Sequence, residues 1–328
     1  MKIDKTTNEM KINRLIQNLT VGLIVLVICS CHGRRTTDKF TDTATSGVIP
    51  ISADESFRDI IQQEIDVFEG IYPQAGICPI YTNEVDAIDL LLKDSVRLAI
   101  TSRKLTDQEK EYLASKKFFP KEIKIATDGI ALIVNKQNPD SLISVSALKQ
   151  ILTGKITRWD QLDSRTKLGD LMLVFDHTNS STVRFAVDSI CQGDSLRGNL
   201  SALQTNAAVI DYVEKTPNAI GVIGVSWVGD KSDSTQLTFS ERVTVMSVTK
   251  DAEEATAQNS YKPYQAYIAL GQYPLIREIY AVLTDPRSGL ASGFATFLAS
   301  DRGQRIILRS GVVPATQNVR IVNVRDTW

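Results

Sequence analysis

Three segments place small hydroxyl residues where a strand gives way to a helix: Ser52-Ala53-Asp54-Glu55-Ser56-Phe57, Thr101-Ser102-Arg103 and Asn179-Ser180-Ser181-Thr182. Such turns expose backbone N–H groups and the positive end of the following helix, so with added hydroxyl donors they can hold an oxyanion without a bulky cation. Each segment taken singly reads as a helix cap, and Ser52-x-x-Glu55 and Thr106-x-x-Glu109 both have the form of a capping box. The recurrence of three such loops is what raises the binding reading. His177 beside Asp176 sets a base near Ser180, but no G-x-S-x-G elbow surrounds that serine, and a loop histidine without a catalytic role is the expectation. With 2 histidines and 4 cysteines, no CxxC and no HExxH, neither a common zinc site nor a redox centre is expected. No P-loop or dinucleotide fingerprint occurs either, so no cofactor or nucleotide chemistry is expected. Trp159 and Trp227 read as packing residues.

The elements that must position these loops alternate along the chain. Val48 to Ile51 reads as a strand, followed by a helix with Phe57, Ile60, Ile61, Ile65 and Phe68 at helical spacing. A strand around Ile77 to Tyr81, a helix with Val85, Ile88, Leu91 and Leu92, and a strand Arg97 to Ile100 continue the pattern. Strand and helix alternation of this kind predicts an α/β fold with a largely parallel sheet. Lys124 to Ala126 and Ala131 to Val134 are further strands, and the Asp128-Gly129 pair between them suggests a bend or a crossing rather than one long strand. The middle portion holds Leu148 to Leu152, Leu171 to Phe175, a helix from about Thr182 to Cys191, a short helix near Ala207 to Lys215, and the apolar run Ala219 to Ser226. Strands Val243 to Val248 and Ile279 to Leu283 follow, then helices Gly289 to Leu298 and Gly303 to Arg309. One lobe interrupted by another is the simplest arrangement: residues 47–127 plus 243–328 form lobe 1, and residues 128–242 form lobe 2. The crossings fall near 127–129 and 229–242, with the ligand cleft between the lobes.

At 328 residues the chain has length for about two domains. Apolar residues at 43% and charged residues at 23% describe a chain able to bury ordinary cores. Lys plus Arg number 37 against 38 for Asp plus Glu, a net charge of -1, so no global basic field recruits nucleic acid. The apolar run from about Val21 to Ile28, preceded by Lys11 and Arg14, is too short to span a bilayer but suits the core of an export signal. The alternative is an uncleaved anchor helix. Met10-Lys11-Ile12-Asn13-Arg14 makes a more typical signal start than Met1. Ile28-Cys29-Ser30-Cys31 resembles the bacterial lipoprotein box, with Cys31 as the lipidated residue, which implies a signal over 1–30, a flexible tether over 31–46 and an anchored location at the cell envelope. Cys78 and Cys191 then remain, either as a disulfide or, more commonly for two unspaced cysteines, as free thiols.

The chain also resembles the phosphate-binding substrate-capture proteins of bacterial ABC transporters, within the type II periplasmic binding protein superfamily. The matching segments run in order over about 47–315: Ser56-Phe57, Ile100-Thr101-Ser102-Arg103-Lys104-Leu105, Asp128 to Asn135, Leu152 to Trp159, Asn179-Ser180-Ser181-Thr182, Ala219-Ile220-Gly221-Val222 and Tyr273-Pro274-Leu275-Ile276-Arg277. The resemblance implies two lobes, each a mixed, mostly parallel sheet flanked by helices, no enzymatic activity, a permease as partner and phosphate or a related oxyanion as ligand. By position it implies ligand contacts from Ser56, Phe57, Thr101, Ser102, Ser180, Ser181 and Thr182. The chain departs from the family where its arginine, four residues before Ser180, is Asp176, where its glycine is Ser181, and where a serine-bearing loop reads Thr82-Asn83-Glu84. Losing an arginine fork to a carboxylate weakens anion binding unless another cation moves in, and Arg103 or Arg184 are the candidates. Glu55, Glu84 and Asp176 make the crevice rim less welcoming to anions, so a sugar, an amino compound or a cation stays open as ligand, in an envelope sensor or interaction module of the same fold. A secreted hydrolase using Ser180 with Asp176 and His177 is the least supported reading.

Overall fold

The computed structural model describes residues 42–229, 238–250 and 254–317. The export signal, Cys31, the tether up to Thr41 and residues 230–237 of the second crossing lie outside the described residues. No helix among the described residues is long and apolar enough to cross a membrane.

The first stretch alternates as its periodicity predicts: β1 (Gly47–Asp54), α1 (Arg58–Ile71), β2 (Ala75–Thr82), α2 (Glu84–Leu92), β3 (Leu98–Thr101), α3 (Asp107–Ser115) and β4 (Lys121–Val134). The middle stretch carries β5 (Leu142–Ser144), α4 (Val145–Leu152), β6 (Met172–Phe175), α5 (Ser181–Phe185), β7 (Leu200–Ala202), α6 (Asn206–Lys215) and β8 (Ala219–Gly224). The last holds β9 (Thr244–Val245), β10 (Ser247–Thr249), α7 (Gln265–Ala269), β11 (Ile276–Leu283), α8 (Leu290–Ala299), α9 (Asp301–Arg309) and β12 (Val313–Pro314). The helix expected from Thr182 begins as α5 and continues as a π-helical stretch over Ala186–Ile190. Asp42, read as tether, is fixed to the start of α8, where its Oδ2 accepts from Leu290 N at 2.7 Å.

The strands run β2-β1-β3-β11-β4-β8-β6-β7, with β9 and β12 also pairing β4. β1 is parallel to β2 and β3, and β6 is parallel to β7 and β8, while β11 is antiparallel to β3 and β4 and β8 is antiparallel to β4. Two mostly parallel ladders are thus joined through one strand. That strand corrects the expectation of a break at Asp128-Gly129: β4 is continuous over 14 residues. What changes there is its partner, which is β11 up to Gly129 and β8 from Ile130. The charge needs no bend because Asp128 lies opposite Arg277 of β11 and accepts its Nε at 2.9 Å. Gly129 suits the packing, since a Cβ there would meet Ile268 Cδ1 of α7 at 2.8 Å and push that side-chain tip aside.

Ile60, Ile61, Ile65 and Phe68 form the buried face of α1, and Ile130 to Val134 of β4 are buried on both faces, as suits a central strand. One continuous apolar cluster takes in side chains from both ladders, and a second, with Ile88, Leu91, Val96 and Leu113, lies under α2 and α3.

Candidate ligand-binding site

The carboxyl ends of β1, β3, β6 and β8, the middle of β4 and the start of β11 bring chain segments together in one buried polar cluster. In open α/β sheets this is the position where ligands sit. β1 runs through Ser52 to Asp54, so the Ser52-x-x-Glu55 capping box does not form; Ser52 Oγ instead donates to Ala87 O at 2.8 Å. The cap of the short turn Glu55–Phe57 is Asp54, whose Oδ1 accepts from Ser56 N at 2.8 Å. Trp227 Nε1 donates to Ser56 O at 2.9 Å and fixes this loop from the end of β8. Phe57 is buried with the Arg277 guanidinium 4.7 Å from its ring centre.

The second loop is not a helix entry, because α3 starts only at Asp107. Thr101 Oγ1 is committed to Arg103 O at 2.8 Å. Arg103 turns away and makes a two-pronged pair with Glu109, 2.8 Å on each arm, while the Thr106–Glu109 capping box forms as its spacing predicts. Ser102 alone of this loop joins the cluster: its N and Oγ donate to Glu84 Oε1 at 2.7 and 2.8 Å. Arg184 closes on the same group, with Nε at 2.5 Å from Glu84 Oε2 and Nη2 at 2.6 Å from Ser102 Oγ.

The third loop follows β6. Ser180 caps α5, donates to His177 O at 2.8 Å and lies 2.8 Å from Thr182 Oγ1. Thr182 Oγ1 donates to Asp176 Oδ1 at 2.5 Å, and Ser56 Oγ from the first loop reaches Asp176 Oδ2 at 3.3 Å. Ser181 N donates to Asp54 Oδ2 at 3.3 Å, and Ser181 Oγ accepts from Arg277 Nη1 at 2.5 Å. Asn206, at the start of α6, donates to Glu55 Oε2 at 2.5 Å and Asp176 Oδ2 at 3.3 Å. His177 Nδ1 accepts from Asn179 N at 3.0 Å, so the imidazole shapes the turn, while the Ser180 hydroxyl is engaged by the His177 carbonyl and Thr182.

Of the residues marked from sequence, Ser56, Phe57, Ser180, Ser181 and Thr182 come together around Asp54, Asp176 and Arg277, and Ser102 and Arg184 join through Glu84. The side chains of Thr101 and Arg103 are engaged elsewhere. Glu55, Glu84 and Asp176, expected at the rim, are inside it, at 9%, 2% and 2% exposure. They are kept there by Asn206, Arg184 and the hydroxyls, which satisfy their oxygens. Sequence reasoning passed over Asp54, Asn206 and the Asp128–Arg277 pair. Two opposite charges, each interrupting an apolar run, were the available signal for that pair.

Burial dominates the electrostatics. It pushes the Asp54 carboxyl up to about 6, helped by the charge of Asp176 and opposed by Arg277. Burial likewise raises Glu55 against the hydrogen bonds from Asn206, and raises Asp128 against Arg277. For Glu84 burial acts upward, but the hydrogen bond and charge of Arg184, with Ser102, carry it below its usual value. Arg277 Nη2 lies 2.9 Å from Asp128 Oδ2 as an ion pair, without hydrogen-bond geometry. Gly224 makes room for that guanidinium, since a Cβ there would meet Nη2 at 3.1 Å. Cys78 and Cys191 are free thiols, one exposed and one buried. Among the described residues no group of His, Cys, Asp and Glu is arranged to hold a metal ion.

Residues 39–302 match the sequence profile of the PBP superfamily domain. The phosphate-binding protein PstS of Bacillus subtilis is 23% identical over 316 residues, 94% of this chain and 96% of the relative. PstS of Pseudomonas aeruginosa is 22% identical over 294 residues, 84% of this chain and 86% of the relative. Among solved structures, a protein from Clostridium perfringens described as a phosphate ABC transporter substrate-binding protein, with phosphate bound, superposes with a TM-score of 0.68. It is 22% identical and covers 82% of this chain and 100% of its own. An ABC-type phosphate transport receptor from Vibrio cholerae gives 0.60 at 20% identity, covering 82% and 100%. At such identities the likeness of structure is one of fold.

Proposed function

The chain belongs to the PBP superfamily, and from that premise we propose that it is an extracytoplasmic solute-binding protein that captures phosphate or a related small oxyanion for an ABC importer. The observation that carries this reading is the convergence of Ser56 Oγ, Ser181 N, Thr182 Oγ1 and the Arg277 guanidinium in one buried cluster from two separate loops and β11. All of these groups donate, and what they hold in the structure are carboxylate oxygens of Asp54, Asp176 and, through Arg277 Nε, Asp128, with the Ser181 hydroxyl as a further acceptor of Arg277; carboxylate oxygens are chemically close to those of a small oxyanion. The names of the curated relatives support the ligand class. In this reading residues 47–127 with 243–328 form one lobe and 128–242 the other, and closure about β4 and the second crossing encloses the solute. Cys31 carries the lipid that holds the protein at the cell envelope beside its permease.

A second reading, a solute rich in hydrogen-bond donors bound by an envelope sensor of the same fold, draws on one observation, the burial of Asp54, Glu55, Glu84 and Asp176 in the cluster. A melting scan of protein freed of ligand by unfolding and refolding separates the two. Phosphate at about 100 times its dissociation constant is expected to stabilise the fold by about 2.7 kcal/mol, with glucose and spermidine inert. A shift with either of the latter and none with phosphate would favour the second reading. Loss of a diacylglyceryl mass on Cys31→Ala is the corresponding check of the anchor.

A further inference from the structure

The donors of the cluster are already occupied by anions that belong to the chain. Asp176 takes Thr182 Oγ1 on one oxygen and Ser56 Oγ on the other, at 2.5 and 3.3 Å. Asp54 takes Ser56 N at 2.8 Å and Ser181 N at 3.3 Å. Asp54 is 0% and Asp176 2% exposed, and each receives a donor from the opposite ladder: Asp54 on β1 from the loop after β6, Asp176 after β6 from the loop after β1. Among the other donors here, Arg277 Nη1 gives to Ser181 Oγ and Asn206 is shared between Glu55 and Asp176.

Resting on the oxyanion reading above, we propose that Asp54 and Asp176 are internal stand-ins for the solute, and that an external oxyanion binds by displacing them from Ser56, Ser181 and Thr182 while the displaced pair takes up a proton from solvent. No covalent bond to the solute forms or breaks in this exchange. The physical reason is the charge that surrounds the pair. Glu55 on the turn after β1, Glu84 on α2 and Asp128 on β4 add three more carboxylates. Of the cations, Arg277 on β11 is paired with Asp128, Arg184 on α5 with Glu84, and Arg58 of α1 lies 3.8 Å from Glu55. An arriving anion therefore meets two carboxylates that have lost their Ser56, Ser181 and Thr182 donors and share only Arg277, which Asp128 already pairs. Burying a third negative charge among them costs more than neutralising one carboxylate with a proton. The Asp54 carboxyl already stands at about 6, and loss of the Ser181 donor together with approach of another anion both move it further up. The proton belongs to the pair, not to either residue alone.

The test is calorimetric titration of the ligand-stripped protein with inorganic phosphate at pH 5.5 and 7.5, each in two buffers of different ionisation heat, alongside Asp176→Asn. That substitution keeps an oxygen for the Thr182 hydroxyl, sets an amide N–H against Ser56 Oγ, which can accept it, and gives up the 3.3 Å bond from Asn206 Nδ2, which keeps its shorter one to Glu55. One proton taken up with a group of pKa about 6 makes binding about twentyfold tighter at pH 5.5 than at 7.5 in the parent. Protonation of phosphate itself enters parent and variant equally, so the difference between them is the protein's. The expected result is a smaller proton uptake and tighter binding at pH 7.5 in Asp176→Asn. Asp54→Asn, scored in the same way, is the second variant. Equal proton uptake by parent and variants, with phosphate bound, overturns the exchange and leaves the oxyanion reading standing. Absence of heat from phosphate in every protein at both pH values overturns the oxyanion reading, and the exchange with it.

Discussion

Glu64 gives a prediction that is independent of the ligand. It lies on the core-facing side of α1, is 0% exposed, and neither carboxyl oxygen has a hydrogen-bond partner among the described residues. Burial alone pushes its carboxyl from 4.5 up to about 9, so the folded chain holds it neutral at pH 7. A group raised in the folded state contributes stability that is fully present below its unfolded value and is lost as pH rises through the folded one. Over the full window of about 4.5 units, at about 1.36 kcal/mol per unit, that loss reaches about 6 kcal/mol. Between pH 5 and pH 8 it is about 4 kcal/mol. Glu64→Gln has nearly the shape and polarity of the neutral carboxyl but does not titrate. Urea unfolding of parent and variant at pH 5, 6, 7 and 8 isolates the effect, because the other titrating groups are common to both. The parent should lose about 4 kcal/mol more than Glu64→Gln over that range, with similar m-values. Stability curves that run parallel would refute the neutral, buried carboxyl.

Arg277→Met leaves Asp128 as an uncompensated buried charge and is expected to cost about 3–5 kcal/mol in urea unfolding, much of it recovered when Asp128→Asn is added. Gly224→Ala places a methyl against Arg277 Nη2, where the added Cβ would sit at 3.1 Å, and should cost about 1 kcal/mol in the same assay and weaken phosphate binding in calorimetry. Trp227→Phe removes the N–H that reaches Ser56 O and leaves that carbonyl unpaired, for a loss of about 1 kcal/mol by thermal melting and a weaker hold on the first loop.

Elements with strong periodicity were legible from the sequence: α1 and α2 follow directly from the spacing of Ile60, Ile61, Ile65, Phe68, Ile88 and Leu91. The loops at Ser56-Phe57 and Ser180 to Thr182 were legible as strand-to-helix turns, because a hydroxyl after a strand is a common helix cap, the role that Ser180 plays here. The continuity of β4 was not, since Asp128 looks like a break until Arg277, far along the chain, is placed opposite it. The same long-range pairing hid the site's buried cation, which comes from β11 and from none of the hydroxyl loops. Arg103 illustrates the opposite error. Its position beside Ser102 suggested a ligand contact, but its guanidinium forks onto the carboxylate of Glu109 on the next helix. Charge seen along a sequence does not disclose which side chain will neutralise it in space.

The most direct test of the site is a crystal structure grown with inorganic phosphate at pH 5.5. Phosphate oxygens are expected on Ser56 Oγ, Ser181 N and Thr182 Oγ1, with the Asp54 and Asp176 carboxyls moved off those donors. Phosphate bound elsewhere, or a saturating concentration that leaves both carboxylates on Ser56, Ser181 and Thr182, would contradict the account.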